Sequence, residues 1–219
     1  MAQLFRPRAN WIFRLVLAGG VLGTLAVAAG ALAYVRTGAY WDVGKAAPQP
    51  IPFQHSIHAG GLGLDCRFCH SSVERSAEAG MPSAHTCLTC HAQVWSGASV
   101  LEPLRTSVAL GVPIRWSSVH ALPSYAYFNH GAHTQAGVSC ASCHGRVETM
   151  ERTVKAETLS MGWCLDCHRR AAREPSPAPA IGLPPASDSM LGVAPDAWPR
   201  KALHTAAQSR LTDCSTCHR

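Results

Sequence analysis

All ten cysteines of this 219-residue chain fall into five C-x-x-C pairs, and a histidine follows each pair at once. The pairs are Cys66/Cys69, Cys87/Cys90, Cys140/Cys143, Cys164/Cys167 and Cys214/Cys217, followed by His70, His91, His144, His168 and His218. No cysteine is left over for a disulfide or a nucleophile. A structural zinc takes four ligands and so uses C-x-x-C units in twos, which leaves one of five unpartnered. Thioredoxin-like redox pairs have no need of a histidine in the next position. C-x-x-C-H is the attachment signature of c-type haem. Its two thiols add across the porphyrin vinyl groups, and the adjacent imidazole is carried under the ring to the iron. Five haem c groups are therefore expected, held covalently by the ten cysteines and on their proximal faces by the five histidines.

That pattern limits the fold. Charged residues make up only 15% and aromatics 7%, while glycine (18) and proline (15) are abundant. Such a chain has few large side chains for a core, and five flat apolar macrocycles would fill the interior instead. The expected fold class is mainly irregular with short α-helices, the helices lying around the C-x-x-C-H motifs and strands being few. Residues 174–200 contain seven prolines and read as an extended strap.

The exported part carries an internal duplication. Phe53-Gln54-His55-Ser56-Ile57-His58 precedes Cys66, and Phe128-Asn129-His130-Gly131-Ala132-His133 precedes Cys140. His70-Ser71-Ser72-Val73-Glu74 then matches His144-Gly145-Arg146-Val147-Glu148, and a second C-x-x-C-H follows in both copies. Two two-haem units, about 51–95 and 126–172, precede a single-haem tail at 200–219.

Seven further histidines are available for the distal faces of five irons. His55, His58, His130 and His133 are the strongest candidates, because histidines at i and i+3 point the same way yet reach different rings. His120 and His204 follow. His85, two residues before Cys87, is more constrained. Met161 is the methionine close to a haem motif, and a His/Met haem would sit at higher potential. Two histidines per iron leave no open position for a substrate, which suits electron transfer rather than chemistry at iron.

Residues 1–14 carry Arg6, Arg8 and Arg14 without an acid, and residues 15–35 then run uncharged. About 20 apolar residues cross a bilayer, whereas the core of a signal peptide is shorter. Arginines on the amino-terminal side favour a cytoplasmic segment 1–14, a single transmembrane anchor 15–35 and a periplasmic domain 36–219 on the cytoplasmic (inner) membrane. The small residues at 28–33 leave a cleaved signal open as the alternative, and Gly19 and Gly23 form a weak G-x-x-x-G. The formal net charge is +6, but two propionates on each of five haems would offset it, so no nucleic-acid partner is expected. Arg67, Arg146, Arg169, Arg170 and Arg219 lie beside haem motifs as candidate propionate partners.

The F-x-H-x-x-H…C-x-x-C-H pattern resembles the cytochrome c3/c7 class of multihaem proteins. The resemblance implies that His55 serves the Cys66/Cys69 haem and His130 the Cys140/Cys143 haem, while His58 and His133 reach neighbouring haems. More narrowly, the anchor together with CRFCHSSVE, HALPSYAYFNHGAH, SCASCHGRVE and LSMGWCLDCHR is similar to the pentahaem subunit of alternative complex III. That likeness implies an electron-transfer subunit with membrane-integral and iron–sulfur/molybdopterin-like partners, which relays electrons from quinol oxidation to a periplasmic cytochrome c or a terminal oxidase. It implies no quinone site or catalytic residue in this chain. The alternatives are a membrane-anchored multihaem quinol dehydrogenase and a multihaem nitrite reductase, the latter weakened because no C-x-x-C-K motif occurs.

Overall fold

The computed structural model describes residues 6–173 and 209–218, so most of the proline-rich stretch, together with His204 and Arg219, lies outside the described residues. The chain divides into two compact units between Val43 and Gly44.

The first unit is built on helix α1, Pro7–Tyr34, of 28 residues. Proline at its start suits the first helical position, where no N–H partner is needed. The helix begins earlier than the uncharged run because Trp11, Ile12 and Phe13 continue the apolar face between Arg8 and Arg14. At 1.5 Å per residue it is about 42 Å long, enough to cross a bilayer. By length and composition, its segment Arg8–Tyr34 is a candidate membrane span. A small aromatic knot follows. Tyr34 meets Tyr40 edge-on with centroids 5.7 Å apart, and Trp41 Nε1 donates to the Val35 carbonyl at 2.8 Å.

In the second unit the regular elements are short. They are a π-helical turn Ser56–Gly61, α2 (Cys66–Cys69), α3 (Ala84–His91), α4 (Glu102–Leu110), α5 (His130–Gln135), α6 (Ala141–His144), α7 (Met161–Arg173) and α8 (Cys214–Cys217). Among the described residues there is no strand, only an isolated antiparallel bridge between Ala46 and Val154. Every C-x-x-C-H motif falls within or at the end of a helix, as a tight turn must bring the next histidine back under two neighbouring sulfurs. Asp65 caps α2 by accepting from the Arg67 N–H, and Ser83 caps α3 through the Thr86 N–H.

Among the described residues, conventional side-chain packing forms one small cluster of Ile51, Ala84, Leu101 and Leu104, with Leu88, Val108, Ile114 and Trp116 against it. Here α3 packs on α4 and so fixes the second motif. Helix α4 opens on Glu102-Pro103 and stops at Gly111, which takes a left-handed conformation at φ 64°. Elsewhere few side chains are buried, and none of the large ones is fully so among the described residues.

The duplicated segments dock reciprocally. The Ser56 N–H donates to the Met150 carbonyl at 3.0 Å, and the Gly131 N–H donates to the Ser76 carbonyl at 2.9 Å. Ser56 and Gly131 each follow the first histidine of an F-x-H-x-x-H, and Ser76 and Met150 each lie six residues beyond a haem-motif histidine. The two bonds are thus the same bond made twice. The turn Ser56–Gly61 also packs on residues 147–149, so closely that a Cβ on Gly60 would collide with the Glu148 carbonyl. Around α5, Thr134 Oγ1 donates to the Val73 carbonyl at 3.4 Å and Gln135 Nε2 to that of Glu74 at 3.1 Å. Each repeat therefore closes on the segment after the other's first haem motif.

Candidate haem centres

The two F-x-H-x-x-H segments have the same internal geometry. Phe53 meets His55 edge-on at 4.8 Å and stacks on His58 at 4.4 Å; Phe128 meets His130 edge-on at 4.7 Å and stacks on His133 at 4.4 Å. One phenyl ring thus orients two imidazoles in each copy. This role of Phe53 and Phe128 was not drawn from the sequence, although their repetition at a fixed distance from both histidines was the signal for it.

Backbone carbonyls set the imidazole tautomers. His58 Nδ1 lies 2.9 Å from the Gln54 carbonyl and His133 Nδ1 2.8 Å from that of Asn129. His130 Nδ1 lies 2.9 Å from the Ala77 carbonyl. Among the motif histidines, Nδ1 of His70, His91, His168 and His218 faces the carbonyls of Gly80, Val94, Leu211 and Tyr125, at 2.7, 3.0, 2.6 and 2.9 Å. A carbonyl can only accept, so each neutral ring carries its proton on Nδ1 and keeps the Nε2 lone pair for a metal. His55 Nδ1 instead pairs with the Thr153 hydroxyl at 2.9 Å.

Three pairs of rings then stand at one spacing. Centroids of His58 and His91 are 6.1 Å apart, those of His133 and His168 6.0 Å, and those of His130 and His144 6.3 Å. Two imidazoles that each bind one metal through nitrogen at about 2.0 Å, from opposite sides, keep their centroids roughly 6 Å apart. Each pair joins a histidine of F-x-H-x-x-H to a histidine of C-x-x-C-H. His55 stands within electrostatic reach of His70.

Burial also favours ligation. It holds His55 down to about 4, helped by His70 and His58, and His144 down to about 4, helped by His120 and His130. Burial likewise lowers His133, against the opposing hydrogen bond to Asn129. Metal-binding imidazole must be neutral, so these rings are in the state that ligation needs.

None of the ten cysteines is buried. They are not equally enclosed, however. Motifs lining an interior filled by macrocycles would hold their cysteines inside, and Cys69, Cys87, Cys140, Cys143, Cys164, Cys167 and Cys217 are half-buried accordingly. Cys66, Cys90 and Cys214 are exposed. The reason at Cys90 is the helix that carries it. Helix α3 turns Ala84, Cys87 and Leu88 toward the small apolar cluster on α4, which leaves Cys90 at the outer edge of that face. Its Sγ meets the Thr89 hydroxyl, itself exposed, at 4.0 Å. Cys66 and Cys214 each open a four-residue helix, where no preceding turn covers them. Burial pushes the Cys143 thiol up to about 11, with Cys167 and Cys164 adding to it. Among the described residues no three of His, Cys, Asp and Glu converge on one point. The donor set fits haem c.

The remaining candidates are arranged differently. His120 meets His144 edge-on with centroids 4.3 Å apart, too close for both rings to hold one iron from opposite sides. Its Nε2 is buried without a hydrogen-bond partner, and burial lowers its pKa, with Lys155 and His130 adding to the effect. Tyr125 stacks on His218 at 6.0 Å, while the Tyr127 N–H donates to the Cys217 carbonyl at 2.8 Å. Met161 opens α7 and is 60% exposed, and His204 lies outside the described residues. Three of the arginines expected near propionates have protein carboxylates as partners. Arg67 pairs with Asp65 at 2.8 Å and Glu74 at 3.2 Å, Arg146 with Glu148 at 3.0 Å, and Arg169 with Asp166 at 3.5 Å. Acids close in sequence reach these arginines first. Arg67 accordingly holds the Asp65 carboxyl below its usual range.

No protein-family model matches the chain. Its sequence is similar to the multihaem cytochrome c subunit of menaquinone reductase from Nitratidesulfovibrio vulgaris, 34% identical over 97 residues. The aligned part is 44% of this chain and 45% of that protein, so the chain spans under half the length of the curated relative it matches. The likeness supports the multihaem cytochrome class at the level of sequence.

Proposed function

We propose that the chain is a pentahaem electron-relay subunit of a quinone-linked membrane complex, anchored by α1 with its haem unit in the periplasm. The observation that carries this reading is the three histidine pairs spaced at 6.0–6.3 Å, each joining a repeat histidine to a haem-motif histidine. On it, His130 and His144 hold the haem of Cys140/Cys143, His58 and His91 that of Cys87/Cys90, and His133 and His168 that of Cys164/Cys167. His55 and His70 hold the haem of Cys66/Cys69. His218 holds the fifth, with His204 as the remaining histidine candidate for its distal face, while His120 acts as a neighbour of His144.

When bound, haem supplies a one-electron couple at each iron. The cysteines of this chain would tether each haem, and its histidines, most of them oriented by an Nδ1 hydrogen bond, would hold the iron and leave no open position for a substrate where two of them bind. Iron–sulfur/molybdopterin-like and membrane-integral subunits of the alternative complex III type are the expected partners. Quinol oxidation would occur in those subunits, and a periplasmic cytochrome c or an oxidase would accept the electrons.

A second reading has the same wire running toward quinone, and is favoured by the relative's being a subunit of a menaquinone reductase. Purification of the tagged native protein from membranes tests the proposal. Five covalent haems per chain and co-purifying polytopic partners are expected; a stable lone chain that oxidises quinol by itself would overturn it. Reduction of the haems by quinol in the purified complex distinguishes the forward direction from the reverse.

A further inference from the structure

The order of the motifs in the sequence need not be the order of the haems in space, and several independent contacts fix the latter. Between the two first motifs, the reciprocal bonds from Ser56 to Met150 and from Gly131 to Ser76 define an approximate two-fold relation between the repeats. Equivalent residues of two related copies can touch only at the axis relating them. Cys66 and Cys140 are such equivalents, and the packing of Ser56–Gly61 on residues 147–149 and of α5 on Val73 and Glu74 brings their two motifs together. Motifs one and three therefore meet at the centre.

Each is tied outward by one helical turn. His55 and His58 lie three residues apart, and His58 faces His91 at 6.1 Å, so the turn that serves the first motif also serves the second. In the other copy, His130 faces His144 at 6.3 Å and His133 faces His168 at 6.0 Å, joining motif three to motif four. Beyond that, α7 packs on Ser209–Thr212, and His168 Nδ1 donates to the Leu211 carbonyl at 2.6 Å. The fifth motif joins the file at the fourth.

Resting on the pentahaem reading above, we infer that the five haems form one unbranched file in the order two, one, three, four, five, with the haems of His91 and His218 as its two ends. An electron taken from a one-electron donor at one end is matched by one passed to a one-electron acceptor at the other. The two redox partners then dock at opposite ends of the file, one beside Cys87/Cys90 and the other beside Cys214/Cys217.

The test is the experimental structure of the intact, haem-loaded protein, after the covalent haem count has been measured. Expected nearest iron neighbours follow the stated file, with the irons of His70 and His144 adjacent at its centre. Five haems with any other adjacency overturn the order alone, whereas fewer than five overturn the proposed function itself. A second measurement uses variants that keep the haem but change its ligand and raise its potential. In EPR-monitored redox titrations, His58→Met should shift one other haem, and His55→Met two. The reverse pattern would overturn the file.

Discussion

At the residue scale, the proposed ligands and their neighbours separate by what their removal does to spin state. His58→Ala and His133→Ala should each leave all haems covalently attached, because the thioethers are untouched. Each should turn about one haem in five high-spin, read by EPR and near-infrared magnetic circular dichroism. His120→Ala should leave the low-spin count unchanged, since its ring is edge-on to His144 at 4.3 Å rather than across an iron from it. A high-spin haem in that variant would restore His120 as a ligand. Phe128→Ala should disturb two haems together, as the phenyl ring contacts both His130 and His133. The motif cysteines and histidines were legible in the sequence because covalent attachment requires adjacent residues. How far each is enclosed was not, as the exposed Cys90 beside the half-buried Cys87 shows, because enclosure depends on what packs against α3. The resemblance already implied that His55 and His130 serve the haems of their own motifs, whereas the proposed partners of His58 and His133 were hidden, because they depend on how separated segments face each other.

At the scale of elements, the fold relies on two kinds of packing that mutations can tell apart. Leu104 is 2% exposed in the only cluster of buried side chains found among the described residues, so Leu104→Ala should cost about 2–5 kcal/mol. Thermal unfolding followed by circular dichroism measures this. Gly60→Ala would drive a Cβ into the Glu148 carbonyl and should cost about 1–3 kcal/mol through overpacking. Gly97→Ala has nothing within 4 Å of its new carbon and should stay within roughly 0.5 kcal/mol of the parent. The short helices at each motif followed from the sequence, whereas the π-helical turn at Ser56–Gly61 did not. Its form follows from the close approach of residues 147–149, a contact between distant segments that no local pattern encodes. The two-unit duplication was readable, but its reciprocal closure required the hydrogen bonds of Ser56 and Gly131.

For the whole molecule, the division between Val43 and Gly44 leads to an expectation about solubility. Residues 44–219, exported behind a cleavable signal, should accumulate as a soluble periplasmic protein loaded with haem, while the full chain stays with the membrane. Fractionation followed by haem staining reads both outcomes, and aggregation of the shorter chain would show that the division does not mark an independent unit. The measurement that bears most directly on the central claim is EPR of the oxidised full-length protein, integrated against its total covalent haem. The account expects five haems per chain, at least four of them low-spin with two imidazole ligands. Fewer than five haems, or a mainly high-spin signal that shifts on adding cyanide or nitrite, would contradict it.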